Sequence, residues 1–244
     1  MLSTGKLMGA GGVGGPVDVT FLLIAGGGGA GSTNGGRPGG GGGAGGVLHG
    51  TIAVAPGTYS CTIGLGGAGG GGSNGGNSTL TLDSVLTAYG GGLGHYSNDG
   101  YFSAFGGDGG SGGGGGQTSY GGYPGGSATQ TSQGGLTGYG NPGGAGVGYS
   151  GLGGHGAGGG AGGAGSNATP GSAVPGGASI TLSGYNVAGG GGTYYGNSST
   201  TYGDGGRSAY VEAGKNGRLI IIGTNTKNMS ASGSFTVNPD GSIS

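Results

Sequence analysis

The sequence has very little charge and few large apolar side chains. Only 13 of its 244 residues are Asp, Glu, Lys or Arg, Trp is absent, and Leu, Ile, Val and Phe together number 37. That supply is too small for a conventional globular core of this length. Disorder is the first alternative, but disordered chains combine low hydrophobicity with high net charge. Here the formal net charge is -1 and the mean hydropathy is -0.07. The single cysteine, Cys61, excludes an internal disulfide and reads as a small buried hydrophobe. No run approaches the ~18 apolar residues of a membrane-spanning helix. The segment 17–25 has neither a basic leader nor a cleavage context, so export by a standard signal is not expected. With only 8 prolines and glycine not confined to every third position, a collagen triple helix is excluded.

What is abundant is glycine, 84 residues or about a third of the chain. Residues 66–77 read GGA GGG GSN GGN and residues 106–117 read GGD GGS GGG GGQ, so both tracts keep a frame of three. Gly153, Gly156, Gly159, Gly162 and Gly165 hold the same spacing, beside a second row broken by Ala157. A period of three is that of the polyproline II helix, which rises ~3.1 Å per residue and has no internal hydrogen bonds. Its amides must bond to other strands. Where two faces of each turn carry only hydrogen, neighbouring backbones come close enough to do so. Ordering costs ~1–2 kcal/mol per residue, on the order of 100 kcal/mol for the glycines together. Net hydrogen bonds of ~0.5–1.5 kcal/mol each offset this only if nearly every amide is paired. The sequence therefore predicts a bundle of several polyglycine II strands, pinned at their ends.

The apolar residues supply the pins. Of the 37, 23 fall in 17–24, 47–65, 80–86, 180–187 and 219–222. Residues 17–25 and 217–223 read as central strands. Residues 51–54 and 58–63 flank Ala55-Pro56-Gly57, a hairpin or strand corner. The alternation in 78–82 predicts a half-buried strand, and no segment has a helical period. The expected fold is all-β with irregular structure: a small antiparallel sheet or sandwich scaffold with an inserted polyglycine II bundle. The expected organisation is an N-terminal attachment segment (1–16), a glycine-rich domain (17–223) and a C-terminal tail (224–244) with a strand at about 234–237.

The blocks TFLLIAGGGGAG (20–31), GGGGGAGGVL (39–48), APGTYSCTIGLGGAGGGG (55–72), GGNSTL (75–80) and GRLIIIG (217–223) occur in this order. That succession resembles the glycine-rich domain of bacteriophage tail-fibre and tail-tip proteins. A looser similarity reaches fibre-tip adhesins built on polyglycine II bundles and the glycine-rich region of the anaplastic lymphoma kinase receptor family. In the phage examples the first apolar strand follows a segment resembling SGTFTVPAG. Residues 1–16 contain nothing like it, but Ser232-Gly233-Ser234-Phe235-Thr236-Val237 does. This C-terminal strand is expected to fill the missing edge, within its own subunit or by donation to a neighbour.

Chemistry-bearing residues are sparse. His49, His95 and His155 form no metal-binding spacing and read as surface or turn residues. Asp99, Asp108 and Asp204 lie in Gly/Ser/Asn surroundings that predict solvated carboxylates, so no catalytic residue, metal ligand or cofactor is expected and the chain reads as non-enzymatic. Matches to GxGxxG follow from composition, and six scattered basic residues make no nucleic-acid patch. Asn77 and Asn197 head Asn-x-Ser/Thr triplets that read as polar turns. The remaining signal is aromatic: Tyr96, Tyr101, Phe102, Tyr120, Tyr123, Tyr194, Tyr195 and Tyr202 sit between glycine tracts with Ser, Asn and Gly. This composition suits binding loops, because the ring offers contact area at low entropic cost. It also suits capping of bundle ends. The resemblance implies a virion location, with other tail or fibre proteins and a host-surface saccharide or outer-membrane protein as partners. A homo-oligomer, with a trimer as the first guess, follows from the same resemblance. A purely structural virion role and, further off, an ice-binding or matrix role are the alternatives.

Overall fold

A computed structural model of the chain describes residues 14–32, 39–70, 73–95, 105–118, 121–148, 154–193, 201–208 and 211–244. The β-branched run at its start forms β1 (Val17–Ile24), which lies at the centre of a five-stranded antiparallel sheet. Its neighbours are β2 (Val47–Val54) and β11 (Arg218–Ile222), and the edges are β8 (Thr137–Tyr139) and β12 (Thr226–Met229). A second sheet has the order β13-β3-β4-β5, from β3 (Gly57–Thr62), β4 (Ser78–Thr81), β5 (Val85–Ala88) and β13 (Gly233–Val237). Two short hairpins complete the described strands, β6 (Gln117–Thr118) with β7 (Gly121–Gly122) and β9 (Ile180–Leu182) with β10 (Tyr185–Val187).

Alternation along β1 decides how the sheets are covered. Val19, Phe21 and Leu23 face one way into a core shared with Leu48, Leu80, Leu219, Ile221 and Phe235, the filling between the two sheets. Leu22 and Ile24 face the other way and pack with Ala44, Val47, Ala161, Val187 and Ile220. Because both faces are covered, Phe21 to Ile24 read as a continuous apolar run in the sequence and are fully buried. The Ala55-Pro56-Gly57 turn is a strand corner: β2 stays in the first sheet and β3 enters the second.

Two expectations sharpen here. The apolar stretch 80–86 is a hairpin, β4 paired with β5 in the register Leu80↔Leu86. The C-terminal strand pairs within its own chain, β13 against β3 with Phe235 opposite Tyr59. The Phe235 ring sits 6.2 Å from Phe21 and 5.8 Å from Tyr59, centroid to centroid, so it ties the two sheets together.

Beyond the sheets the glycine segments form the expected bundle, and its period is visible in the hydrogen bonds. Along 26–31, the amides of Gly26 and Gly29 donate to Gly76 and Ser73, those of Gly27 and Ala30 to Lys215 and Glu212, and those of Gly28 and Gly31 to Gly43 and Gly40. Each neighbour is met again after three residues, the threefold bonding of polyglycine II. The same holds along 156–161, whose amides reach 115 and 112, 166 and 163, and 191 and 188 in turn.

Segment 39–46 is the centre. Its amides donate to 89–95, 156–159 and 203–206, and its carbonyls accept from 25–31, 111–114 and Gly191. It is buried throughout and bonded on six sides. A Cβ at Gly42 would overlap the Gly28 carbonyl oxygen, which explains why glycine is required there.

The tracts 66–77 and 106–117 are not single strands. Gly76 bonds back to Leu65 and Ser73 to Ala68, and Gly113 bonds back to Gly107, so each tract folds on itself. Ser78 joins bundle to sheet: its buried hydroxyl accepts from the Gly64 amide (2.9 Å) and donates to the Ile24 carbonyl (2.8 Å).

Candidate functional site

The asparagines and glutamines between glycine segments are committed to the bundle. Asn77 Oδ1 accepts from Gly90 (2.8 Å), Asn74 Oδ1 from Leu93 (2.8 Å), Asn167 Oδ1 from Ala145 (2.8 Å) and Asn216 Oδ1 from Gly66 (2.9 Å). Gln130 and Gln133 do the same for Tyr89 and Thr87. Each side chain takes the place of a missing neighbour's carbonyl at the bundle's margin. Asparagine content alone is therefore no mark of a binding loop in this chain.

Of the eight aromatic candidates, Tyr96, Tyr101, Phe102, Tyr120, Tyr194 and Tyr195 lie outside the described residues. Tyr123 and Tyr202 lie within them. Tyr123 is half-buried and meets Phe105 edge to face, with centroids 5.3 Å apart at 78°. Phe105, more than half exposed, is a candidate the sequence reading did not single out, although it stands three residues from Phe102.

Tyr202 is 40% exposed and lies in a groove of about 450 Å³ lined by Asn186, Thr201, Gly214, Lys215 and Asn216. The Arg218 guanidinium carbon sits 3.8 Å from the ring centroid and holds one face of the ring by cation–π attraction. Lys215, Asn186 and Asn216 are all exposed, and among the described residues no carboxylate lines the groove. Below it Asp204 is buried, a correction to the expectation of a solvated carboxylate. It accepts from the Gly189 amide (2.7 Å), the Thr201 amide (2.6 Å) and the Thr201 hydroxyl (2.5 Å), which replace its hydration and fix the start of the Tyr202 loop. Asp108 is exposed and accepts from the Ser127 amide (2.6 Å), while Asp99 lies outside the described residues.

The histidines divide. His49 is partly exposed and its Nε2 lies 2.9 Å from the Ser183 hydroxyl. His95 and His155 are not the surface residues expected: they are 2% and 5% exposed, with ring centroids 6.1 Å apart and planes 19° from parallel. Burial pushes both imidazoles down to about 4, with the neighbouring His95 ring a further cause for His155. Among the described residues no three His, Cys, Asp or Glu side chains gather as a metal cluster. Cys61 is a free buried thiol whose pKa burial pushes up, as its reading as a small hydrophobe predicts.

Fold and margin together define a class: a two-sheet β scaffold that carries a polyglycine II bundle and offers aromatic side chains at the bundle's edges. The chain belongs to the glycine-rich domain family, whose model matches residues 13–238. A search of curated proteins finds no match.

Proposed function

We propose that this protein is a structural component of a phage tail fibre or tail tip that contacts a receptor on the bacterial surface without cleaving it. The observation that carries this reading is the Tyr202 groove. An aromatic ring beside an ammonium and two carboxamides, with no acid among the described lining residues, fits a hydroxyl-rich, acidic saccharide. One ring face would stack on a sugar while Lys215 and the amides meet its oxygens. The resemblance of the ordered blocks to the glycine-rich domain of phage tail proteins supports the virion context.

The test is adsorption by intact particles. Tyr202→Ala combined with Lys215→Ala is expected to lower the adsorption rate at least tenfold while particle yield and composition stay unchanged. Unaltered adsorption would remove the groove from receptor binding.

A purely structural role, in a fibre shaft, head fibre or capsid decoration, has its own support. Arg218 over Tyr202 and Phe105 against Tyr123 are contacts by which rings cap a bundle. Under that reading cryo-EM of the particle finds the groove buried between subunits, whereas the receptor reading requires it at a distal surface.

A further inference from the structure

The fold treats its two described arginines differently. Arg207 is paired with Glu212 at 2.9 Å. Arg218, at the start of β11, has no carboxylate partner among the described residues, and its Nε is buried without a hydrogen bond. Asp204, the acid beneath the Tyr202 groove, does not supply one, because its oxygens accept from the Gly189 amide and from the amide and hydroxyl of Thr201. A guanidinium drawn partly out of water without an acid costs free energy. The ring of Tyr202, 3.8 Å from the guanidinium carbon, offsets only part of that cost. The charge stays uncompensated among the described residues.

The ring that Arg218 holds is 40% exposed and forms a wall of the groove. Lys215, in the same lining, is exposed and also has no carboxylate partner among the described residues. A ligand group laid on the ring at ordinary contact distance stands within about 8 Å of the guanidinium carbon, about one Debye length at physiological ionic strength. Because Arg218 is only partly exposed, water and salt weaken its field less than that of a free surface cation. A neutral sugar gains stacking and hydrogen bonds in such a groove and nothing from the second cation. A sugar bearing a carboxylate gains both.

We propose that Arg218 is a specificity-determining residue of the Tyr202 groove: acting through its charge from behind the ring, it selects uronic-acid saccharides over neutral ones of the same shape. The selection rests on the groove's being the saccharide site, as proposed above, and is separable from it. Shape is read by Tyr202 and the carboxamides, whereas charge is read by Arg218 together with Lys215.

The test titrates the full chain calorimetrically with tetragalacturonate and with its methyl ester, which keeps the shape and removes the charge, at pH 7.5 in 50 mM sodium chloride. The acid should bind at least tenfold tighter than the ester, and the ratio should fall below threefold at 500 mM sodium chloride. Arg218→Gln should bring the ratio below threefold at low salt while ester affinity stays within twofold of wild type, and Arg218→Lys should keep it above fivefold. Equal binding of acid and ester by the wild-type chain, or a tenfold ratio that survives Arg218→Gln, overturns the proposal. So does loss of ester binding in that variant, which would make Arg218 a mere support for the ring. If Arg218→Gln does not fold, Arg218→Met, which keeps the apolar stem over the ring, takes its place; failure of both to fold also overturns the proposal. The groove reading fails separately. If neither ligand binds the wild-type chain, or if Tyr202→Ala leaves ester affinity unchanged, the groove is not a saccharide site and the selection falls with it.

Discussion

At the scale of single residues, glycine positions differ sharply in what they tolerate. Gly42 faces the Gly28 carbonyl in the centre of the bundle, whereas a Cβ at Gly163 would meet nothing closer than 3.6 Å. Gly42→Ala should therefore cost about 2–3 kcal/mol through overpacking, and Gly163→Ala should change stability by less than about 0.5 kcal/mol. Urea denaturation of the two variants checks the contrast. The buried histidines predict a pH dependence of stability. Their folded pKa of about 4 lies below the ordinary 6.5, so the unfolded chain binds these protons first. Their contribution is complete above pH 6.5 and is lost as pH falls toward 4, a loss on the order of 3 kcal/mol per ring. His155→Gln should flatten the stability curve across that window. None of this was legible in the sequence, because His95 and His155 stand sixty residues apart and only the bundle's cross-section makes them neighbours. Asp204 was misread for a related reason: two of its three partners are backbone amides, which leave no trace in composition.

At the scale of elements, apolar alternation carried most of the information. The run 17–24 and its mate 218–222 were readable as central strands because both faces carry large side chains, and β13 was readable from its likeness to a first strand missing elsewhere. The turn inside 80–86 was overlooked although Asp83-Ser84 is a turn signal, because it is short and leaves the apolar residues on both sides close together in sequence. How the glycine runs lie against one another was illegible altogether, because identical residues offer no side chains to set direction or register. The eight aromatic candidates were named from composition, yet Tyr202 became a candidate site only once Lys215, Asn186 and Asn216, remote from it in part, were seen to share its groove. Phe235 makes the C-terminal strand structural: its ring is 1% exposed and lies against both Phe21 and Tyr59. Phe235→Ala should lower unfolding free energy by about 3–5 kcal/mol, measured by denaturant titration.

At the scale of the whole molecule, cohesion comes from backbone hydrogen bonds and two apolar clusters, with little from charge. Among the described residues the ion pair is Arg207 with Glu212, at 2.9 Å. The pair is partly buried, and a single ion pair five residues apart in sequence contributes little to a chain of this size. The thermal midpoint is therefore expected to differ by less than about 2 °C between 50 mM and 1 M sodium chloride, where a chain held by ion pairs would fall. Calorimetry at the two concentrations checks this.

The threefold return of neighbours along 26–31 and 39–46 also governs how such a chain can change length. Adding three residues to a run advances it by one turn and gives every amide back the strand it faced before. Adding one or two rotates each amide by a third or two-thirds of a turn, toward the wrong strand. Insertions and deletions inside the bundle should accordingly survive only in multiples of three, nine nucleotides at a time, while the loops at its ends can drift in any step. The lattice thus keeps a reading frame of its own, laid over that of the gene.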